Sequence, residues 1–475
     1  MNTKLLKQKI LDLAIRGKLT QQLKSDGTAA DLLKEICDRI QEKTSLRAKR
    51  GNPSPQTIIP LDKSEAPFEI PANWEWVRLG DVASLCLGKM LDKSKNKGTY
   101  CRYLRNVNIR WGEFDFSDIA EMKFEDVADN RFLIKYGDLV MCEGGEPGRC
   151  AVWTDSDTIH FQKALHRIRF FNGFIPKFYQ YLFFFYANKK ILDNYFTGST
   201  IKHLTGESLR EIPIPLPPLA EQQRIVAKIE EAFAEIDAIE KNKELLKTHI
   251  KQTRQKILDL AIHGKLVPQN KSDEPASVLL ERITRDNPHY EKMTDVPFEI
   301  PESWEWVKLG DVGKWQSGTT PSKSNSSYYK DGTIPWLNTG DLNDGIIREI
   351  PKKVTEKALA ETSLRLNEAG SVCIAMYGAT IGKIGILSMP ATTNQACCVC
   401  NNLKNFVNQM WLFYFLKNHK QEFIEAGFGG AQPNISKEKI TATLFPLPPL
   451  AEQKRIVDKI EEIFASLDAI SRHLD

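Results

Sequence analysis

The sequence predicts an α+β protein built as an internal pseudo-twofold duplication: two globular α+β domains joined and separated by long antiparallel coiled-coil helices. Three observations carry this. A seam of period 3.5 runs through the middle of the chain. The block that starts this seam, Pro217-Pro218-Leu219-Ala220-Glu221-Gln222, is spelled again as Pro448-Pro449-Leu450-Ala451-Glu452-Gln453. A domain opening, Pro67-Phe68-Glu69-Ile70-Pro71 through Trp74-Glu75-Trp76-Val77 to Val82, returns as Pro297-Phe298-Glu299-Ile300-Pro301 through Trp304-Glu305-Trp306-Val307 to Val312.

The central helix comes first because the rest is arranged around it. Steps of four and three residues place Ile225, Ile229, Ala232, Ile236, Ile239, Leu246, Ile250, Ile257 and Leu260 on one stripe, interrupted by Lys243 and Thr253. Pro217 and Pro218 suit the entry to such a helix and Gly264 its C-terminal cap. The C-terminal copy of its first half, offset by 231 from Pro217 to Pro448, carries the seam through Ile456, Ile460, Ile463, Leu467 and Ile470. The second half, Lys256 to Leu266, is repeated at Lys9 to Leu19 with an offset of 247. The chain therefore reads as a duplicated unit cut open within one helix, and antiparallel packing of the two copies lets each seam bury the other.

In chain order, residues 1–50 form an N-terminal helical segment that runs into a Gly- and Pro-rich basic linker up to about Pro60. Residues 67–215 form the first globular domain, 216–285 the central helical spacer, 297–446 the second globular domain and 447–475 the C-terminal helix. Within the globular domains, runs such as Asp138-Leu139-Val140-Met141-Cys142 and Ser371 to Met376 read as strands, and 178–192 and 407–417 as helices. Anchors recur: Gly144-x-x-x-Gly148-Arg149 matches Gly378-x-x-x-Gly382-Lys383, and Arg105-Asn106-Val107-Asn108 matches Leu337-Asn338-Thr339-Gly340-Asp341 as one strand-to-loop feature. Between the anchors the two copies diverge, so one scaffold carries two different surfaces.

Composition sets outer bounds. The chain has 475 residues, 41% of them hydrophobic, and its 65 Lys plus Arg against 61 Asp plus Glu give a net charge of +4. That mild excess permits nucleic acid without requiring it. The most apolar run, Tyr181 to Ala187, is too short to span a bilayer, and no signal peptide is recognisable, so a cytoplasmic protein with no membrane partner is expected. Nine cysteines without framework spacing fit free thiols in a reducing compartment.

The order of half-helix, globular domain, Pro-Leu-Pro-Pro-Leu-Ala-Glu-Gln helix ending in Gly-Lys-Leu, second globular domain and second Pro-Leu-Pro-Pro-Leu-Ala-Glu-Gln helix resembles the specificity subunit of type I restriction-modification systems over essentially the whole chain. The resemblance implies that the globular domains are target recognition domains, each reading one half of a bipartite asymmetric sequence in double-stranded DNA. It implies a non-catalytic subunit whose helices set the spacing and dock two methyltransferase subunits, with two restriction subunits added outside. S-adenosylmethionine, ATP and Mg would then belong to those partners and no cofactor to this chain. Leu219, Glu221, Gln222, Ile225, Ile229 and Ile236, with Leu450, Glu452, Gln453, Ile456 and Ile460, are the candidate spacer or partner-docking residues.

The residues themselves also point away from catalysis. Neither Asn-Pro-Pro-Tyr nor Asp-Pro-Pro-Tyr occurs. Gly378-Ala379-Thr380-Ile381-Gly382-Lys383-Ile384 lacks one spacer residue of a P-loop and its Ser/Thr, so a tight turn is expected. The Cys397-Cys398-Val399-Cys400 run reads as buried strand thiols, since zinc wants four ligands and no second pair answers. For DNA, Lys89, Lys93, Lys95 and Lys97 suit phosphates, while Arg105, Asn106, Asn108 and Arg110 have the groups that pair with guanine and adenine edges. Lys202 and His203 lie late in the first domain. The second domain offers Thr319, Thr320, Ser322, Lys323 and Asn325, then Asn338 and Thr339, then Gln432 and Asn434. A standalone DNA-binding regulator or a structural coiled-coil scaffold would use similar helices, but neither accounts for two dissimilar domains on duplicated supports.

Overall fold

The computed structural model describes residues 2–47, 58, 61–90, 92, 98–125, 130–286, 293, 295–427 and 434–474. The chain divides into two compact units, Met1–Asn242 and Lys243–Asp475, and the boundary falls inside the 44-residue helix Leu219–Ile262.

In the first unit the globular domain is closed by pairing its first and last strands, Glu75–Arg78 against Pro213–Leu216, antiparallel. Between them lie two four-stranded sheets. One is ordered Ala83–Leu87, Leu165–Phe170, Leu139–Cys142, Cys150–Val152; the other Ala120–Phe124, Thr99–Leu104, Ile159–Phe161, Leu133–Ile134. The helix Pro176–Asn188 has buried aromatic side chains at Phe178, Tyr179, Phe183, Phe185 and Tyr186, each worth a few kcal/mol of burial on the usual scale of about 1.5–3 kcal/mol. The N-terminal helix Thr3–Ile15 joins the same core through Leu11, Ala14 and Ile15. It runs antiparallel to the first half of the long helix, where Lys7 pairs with Asp237 and covers the Phe233 ring.

The second unit repeats this plan from different residues. Glu305–Lys308 pairs with Leu444–Leu447. A five-stranded sheet (Lys314–Ser317, Cys397–Asn401, Val372–Ala375, Ile384–Leu387, Gly345–Ile347) accompanies a three-stranded one (Lys353–Val354, Ile334–Leu337, Thr392–Thr393). The helix Gln409–Asn418 is the counterpart of Pro176–Asn188. The C-terminal helix Leu450–Arg472 packs antiparallel on the second half of the long helix, where Arg254 pairs with Asp468 and covers the Phe464 ring. These are the positions of Lys7, Asp237 and Phe233 one repeat later.

Both half-helices ending in Gly-Lys-Leu stop for the same reason. Gly17 and Gly264 each sit at φ +67°, and Lys18 and Lys265 donate their backbone N–H back to Leu13 and Leu260, a Schellman cap. A Cβ on Gly17 would lie 2.4 Å from Pro71 Cγ, and one on Gly264 2.3 Å from Pro301 Cγ. Glycine is thus required twice, for the left-handed backbone and for the proline behind it.

The predicted seam is buried at Ile225, Ile229, Ile236 and Ile250 but open at Ile239 (41% exposed) and Leu246 (39%). Thr3, at the start of the N-terminal helix, lies opposite Glu240. Towards its end the buried stripe moves to Leu258, Ala261 and Ile262, the drift of a 3.6-residue turn against a 3.5 repeat. The Gly378 segment is a short turn, Gly378–Thr380, between the paired strands Val372–Ala375 and Ile384–Leu387. No helix follows it to receive a phosphate, so the P-loop likeness ends there. Cys397, Cys398 and Cys400 are buried on a central strand as expected.

Candidate nucleic-acid interface

Four loops gather the candidate residues, and in each unit the same backbone hydrogen bonds form them. Strand Thr99–Leu104 ends in a one-turn helix Asn106–Asn108, and strand Ile334–Leu337 in Thr339–Asp341. Asn108 Oδ1 accepts from the Arg105 N–H at 2.9 Å, and Asp341 Oδ2 from the Asn338 N–H at 2.9 Å. Arg105 and Asn106 thus stand where the second unit has Asn338 and Thr339. The Lys89 N–H donates to Phe161 O and the Thr319 N–H to Thr393 O, while the next residues, Gln162 and Asn394, donate to Leu104 O and Leu337 O. In the third loop Gly148 and Gly382 donate to the preceding strand at Cys142 O and Ala375 O. The fourth meets it through the bridges Gly144 to His203 and Tyr377 to Asn434.

In the first unit these loops interlock. Arg149 Nη2 donates to Asn106 O at 3.0 Å, and a Cβ at Gly145 would lie 2.9 Å from Asn106 Nδ2. His203 Nδ1 is 3.3 Å from Glu143 Oε1, and Trp111 Nε1 donates to Glu146 Oε1 at 2.8 Å. Arg149, Glu143, Glu146 and Trp111 were not singled out by residue type. Of these, only Arg149 carried a signal, as the basic end of the repeated Gly-x-x-x-Gly motif.

Several expected contacts are corrected. Asn108 is 1% exposed, and its amide is consumed by donation to Asp115 O (3.0 Å) and Asp118 O (2.8 Å), so it shapes the loop and has no face left for a base. Arg105 is tied to Asp118 through Oδ2 at 2.7 Å and the carbonyl at 2.8 Å. Lys89, with only 13% of its side chain exposed, lies over the Phe124 ring near Glu125. Burial, then the Lys89 charge, holds the neighbouring His160 below the usual imidazole range. Thr320 is bonded to Gln395. Lys93, Lys95, Lys97 and Gln432 lie outside the described residues.

What the loops do present is mixed in charge. Arg110 is 45% exposed and paired with Asp115, whose carboxyl is held low by the Ser117 hydroxyl and N–H, with Arg110 beside it. Lys202 is 3.4 Å from Asp193 and above the Phe196 ring. In the second unit Ser322, Lys323 and Asn434 are exposed, with Asn338 and Thr339 half-buried. Such a surface offers guanidinium, amide, imidazole, hydroxyl and carboxylate groups, the set that can address base edges.

The candidate helix residues divide sharply. Leu219 and Leu450 are exposed, but Glu221, Gln222, Ile225, Ile229, Glu452, Gln453, Ile456 and Ile460 are each 0% exposed and Ile236 3%. Direct partner docking through those nine is ruled out because their side chains are already buried, Ile225 and Ile229 in the core of the first unit and Ile456 and Ile460 in that of the second. Gln222 Nε2 donates to Gly173 O (3.2 Å) and Pro217 O (2.9 Å), and its Oε1 accepts from the Ile175 N–H (2.8 Å). Gln453 Nε2 donates to Phe406 O (3.0 Å) and Pro448 O (2.9 Å), and its Oε1 accepts from the Asn408 N–H (2.7 Å). Glu221 accepts from Gln22 Nε2 (2.5 Å) and Trp74 Nε1 (2.9 Å), and Glu452 accepts from Gln269 Nε2 (2.5 Å). Burial pushes both carboxyls up, opposed by these donors. The repeated Pro-Pro-Leu-Ala-Glu-Gln is thus an internal joint between domain and helix.

Comparison with known proteins agrees with this architecture. The family described as "Type I restriction modification DNA specificity domain" matches residues 71–248 and again 301–474. The Type I restriction enzyme EcoAI specificity subunit of Escherichia coli is 26% identical, covering 98% of this chain and 90% of that protein. The Escherichia coli EcoEI specificity subunit is 23% identical over 99% and 90%. Among solved structures, the crystal structure of an HsdS subunit from Thermoanaerobacter tengcongensis shares the fold with a TM-score of 0.57 and 22% identity, over 87% of this chain and 94% of that one. With two family matches that coincide with two structurally repeated units, this chain belongs to the type I restriction-modification DNA specificity family.

Proposed function

We propose that the chain is the non-catalytic DNA-specificity subunit of a type I restriction-modification complex, in which each globular domain reads one half of a bipartite, asymmetric duplex target. The observation that carries this is the pairing of loops closed by the same backbone hydrogen bonds with different side chains: Asn106 against Thr339 and His203 against Asn434. A duplicated reader of one sequence would have no use for the difference. Residues for base or phosphate contact are Asn106, Arg110, Lys202 and His203 in the first domain and Ser322, Lys323, Asn338, Thr339 and Asn434 in the second. Lys93, Lys95 and Gln432 join them on sequence grounds.

The helices in this reading set the gap between half-sites and carry two methyltransferase subunits on their exposed faces, with two restriction subunits outside. S-adenosylmethionine, ATP and Mg act in those partners, and the assembly works in the cytoplasm. No described helix is long and apolar enough to cross a membrane. The test is an insertion of four residues at Asn242, about one turn and about 6 Å of helix. In complex with the methyltransferase partner, the preferred gap should lengthen by one or two base pairs of about 3.4 Å each while both half-sequences stay the same. An unchanged gap optimum with activity retained refutes the spacing role. The purified chain alone should neither methylate nor cut DNA.

A further inference from the structure

The joint has a third component that the repeat motif alone does not reveal. After each Gly-Lys-Leu cap the chain returns across the base of the neighbouring helix. Arg224 makes a bidentate pair with Asp26, and Arg455 makes the same pair with Asp273 at 3.2 and 2.7 Å. The Asp26 and Asp273 side chains are only 6% and 7% exposed, with the guanidinium groups forming the outer edge. Gln22 and Gln269, four residues earlier, hold the buried Glu221 and Glu452. On the opposite side of the helix start, Gln222 and Gln453 grip the loop that leads into the domain's aromatic helix.

Each recognition domain is therefore clamped to its helix from two sides by one consecutive Glu-Gln pair, and an Arg-Asp strap locks the clamp from outside. The two clamps share the Gln222/Gln453 bonds, the Gln22/Gln269 bonds to Glu221/Glu452 and the Arg-Asp pairs, whereas Trp74 Nε1 donates to Glu221 in the first unit and Ser303 Oγ donates to Gln269 in the second. Bidentate Arg-carboxylate pairs restrict orientation more tightly than a single hydrogen bond, and a wobble at the foot of a domain is magnified at its reading loops. We infer that Arg224–Asp26 and Arg455–Asp273 are positioning pairs that fix the angle of each recognition domain on its helix, and so set how strictly the gap between half-sites is enforced. They touch no base in this account. The inference rests on the bipartite-reader function proposed above.

The experiment uses the full chain in complex with its methyltransferase partner. Duplexes carry the two half-sequences identified by sequencing modified adenines, with gaps from two base pairs short to two base pairs long. Wild type should show a sharp optimum. Arg224→Ala and Arg455→Ala should each flatten it, lowering the ratio of methylation at the optimum to methylation one base pair away by about 3- to 10-fold, while the preferred half-sequences stay unchanged. The exchange Asp26→Arg with Arg224→Asp should restore the ratio, which guards against a variant that is merely poorly folded. A purely structural role would lower methylation at every gap in proportion, and a profile of unchanged shape overturns the inference. A wild-type complex with no gap optimum at all would instead overturn the bipartite reading itself.

Discussion

The joint and the candidate reading loops of this molecule are built under different physical constraints, and the duplication allows them to be compared within one chain. At the joint, Gln22, Asp26, Pro71, Trp74, Glu221, Gln222 and Arg224 recur as Gln269, Asp273, Pro301, Trp304, Glu452, Gln453 and Arg455. At the reading loops, the backbone bonds recur but the side chains do not. Buried polar groups account for the repeat at Glu221 and Gln222, because losing a partner costs about 1–3 kcal/mol, which leaves little room for substitution. Exposed side chains on a backbone-determined loop carry no such penalty, so they can differ without cost to the scaffold. The difference separates residues that hold the scaffold from residues able to read.

Breaking the joint should produce the largest change in stability. Gln222→Leu leaves the Ile175 N–H and two carbonyls without their partner, and urea unfolding should show a loss of about 3 kcal/mol; Gln453→Leu should match it. Asn108→Ala should cost about 2 kcal/mol, since its three internal bonds place it with the scaffold despite its position in the loop. If instead Asn108→Ala left stability unchanged and altered one base of the target, the division drawn here would fail at that residue.

Glu221→Gln is a finer test. Because burial raises this carboxyl above its ordinary value of 4.5, the protonated form is favoured on folding. Its contribution is fully present below the unfolded pKa and is lost as pH rises through the higher folded one. The stability difference between the glutamine variant and wild type should therefore shift in the variant's favour as pH increases from about 4, on top of a pH-independent cost of about 1–3 kcal/mol, because its amide NH2 meets the Gln22 or Trp74 donor where a carboxylate oxygen accepts. Unfolding midpoints from pH 4 to 8 check this. A wild-type advantage that grows with pH would show that the ionised carboxylate is the stabilising form. The smallest change is expected for Asn106→Ala: stability within about 0.5 kcal/mol, but about 1–3 kcal/mol lost in discrimination at one base position.

Much of the scaffold was legible in the sequence, because it is written twice. The offsets of 231 and 247 disclosed both half-helices, and the Trp-Glu-Trp opening disclosed the start of each domain. The likeness of Arg105-Asn106-Val107-Asn108 to Leu337-Asn338-Thr339-Gly340-Asp341 was legible too, since a turn closed by Asn or Asp onto its own backbone leaves a local signature, and the hydrogen bonds set its register at Arg105 to Asn338. What could not be read was direction. Asn108 and Asn106 are two residues apart and chemically identical, yet one is consumed by the carbonyls of Asp115 and Asp118 while the other stands at the loop junction. Likewise Glu221 and Gln222 look like surface residues of a charged helix, and only their packing against the domain shows that they are not. The exposure of Ile239 and Leu246 was not legible because a regular seam does not say which of its positions are covered.

The central claim is that two independent readers share one scaffold, and exchange of residues 67–215 for the corresponding segment of a relative with a different target tests it most directly. The chimaera is expressed with the methyltransferase partner and modified adenines are mapped by sequencing. The expected motif has one half with the relative's sequence, the other half unchanged, and the gap preserved. A motif altered in both halves, or in the gap, would contradict it.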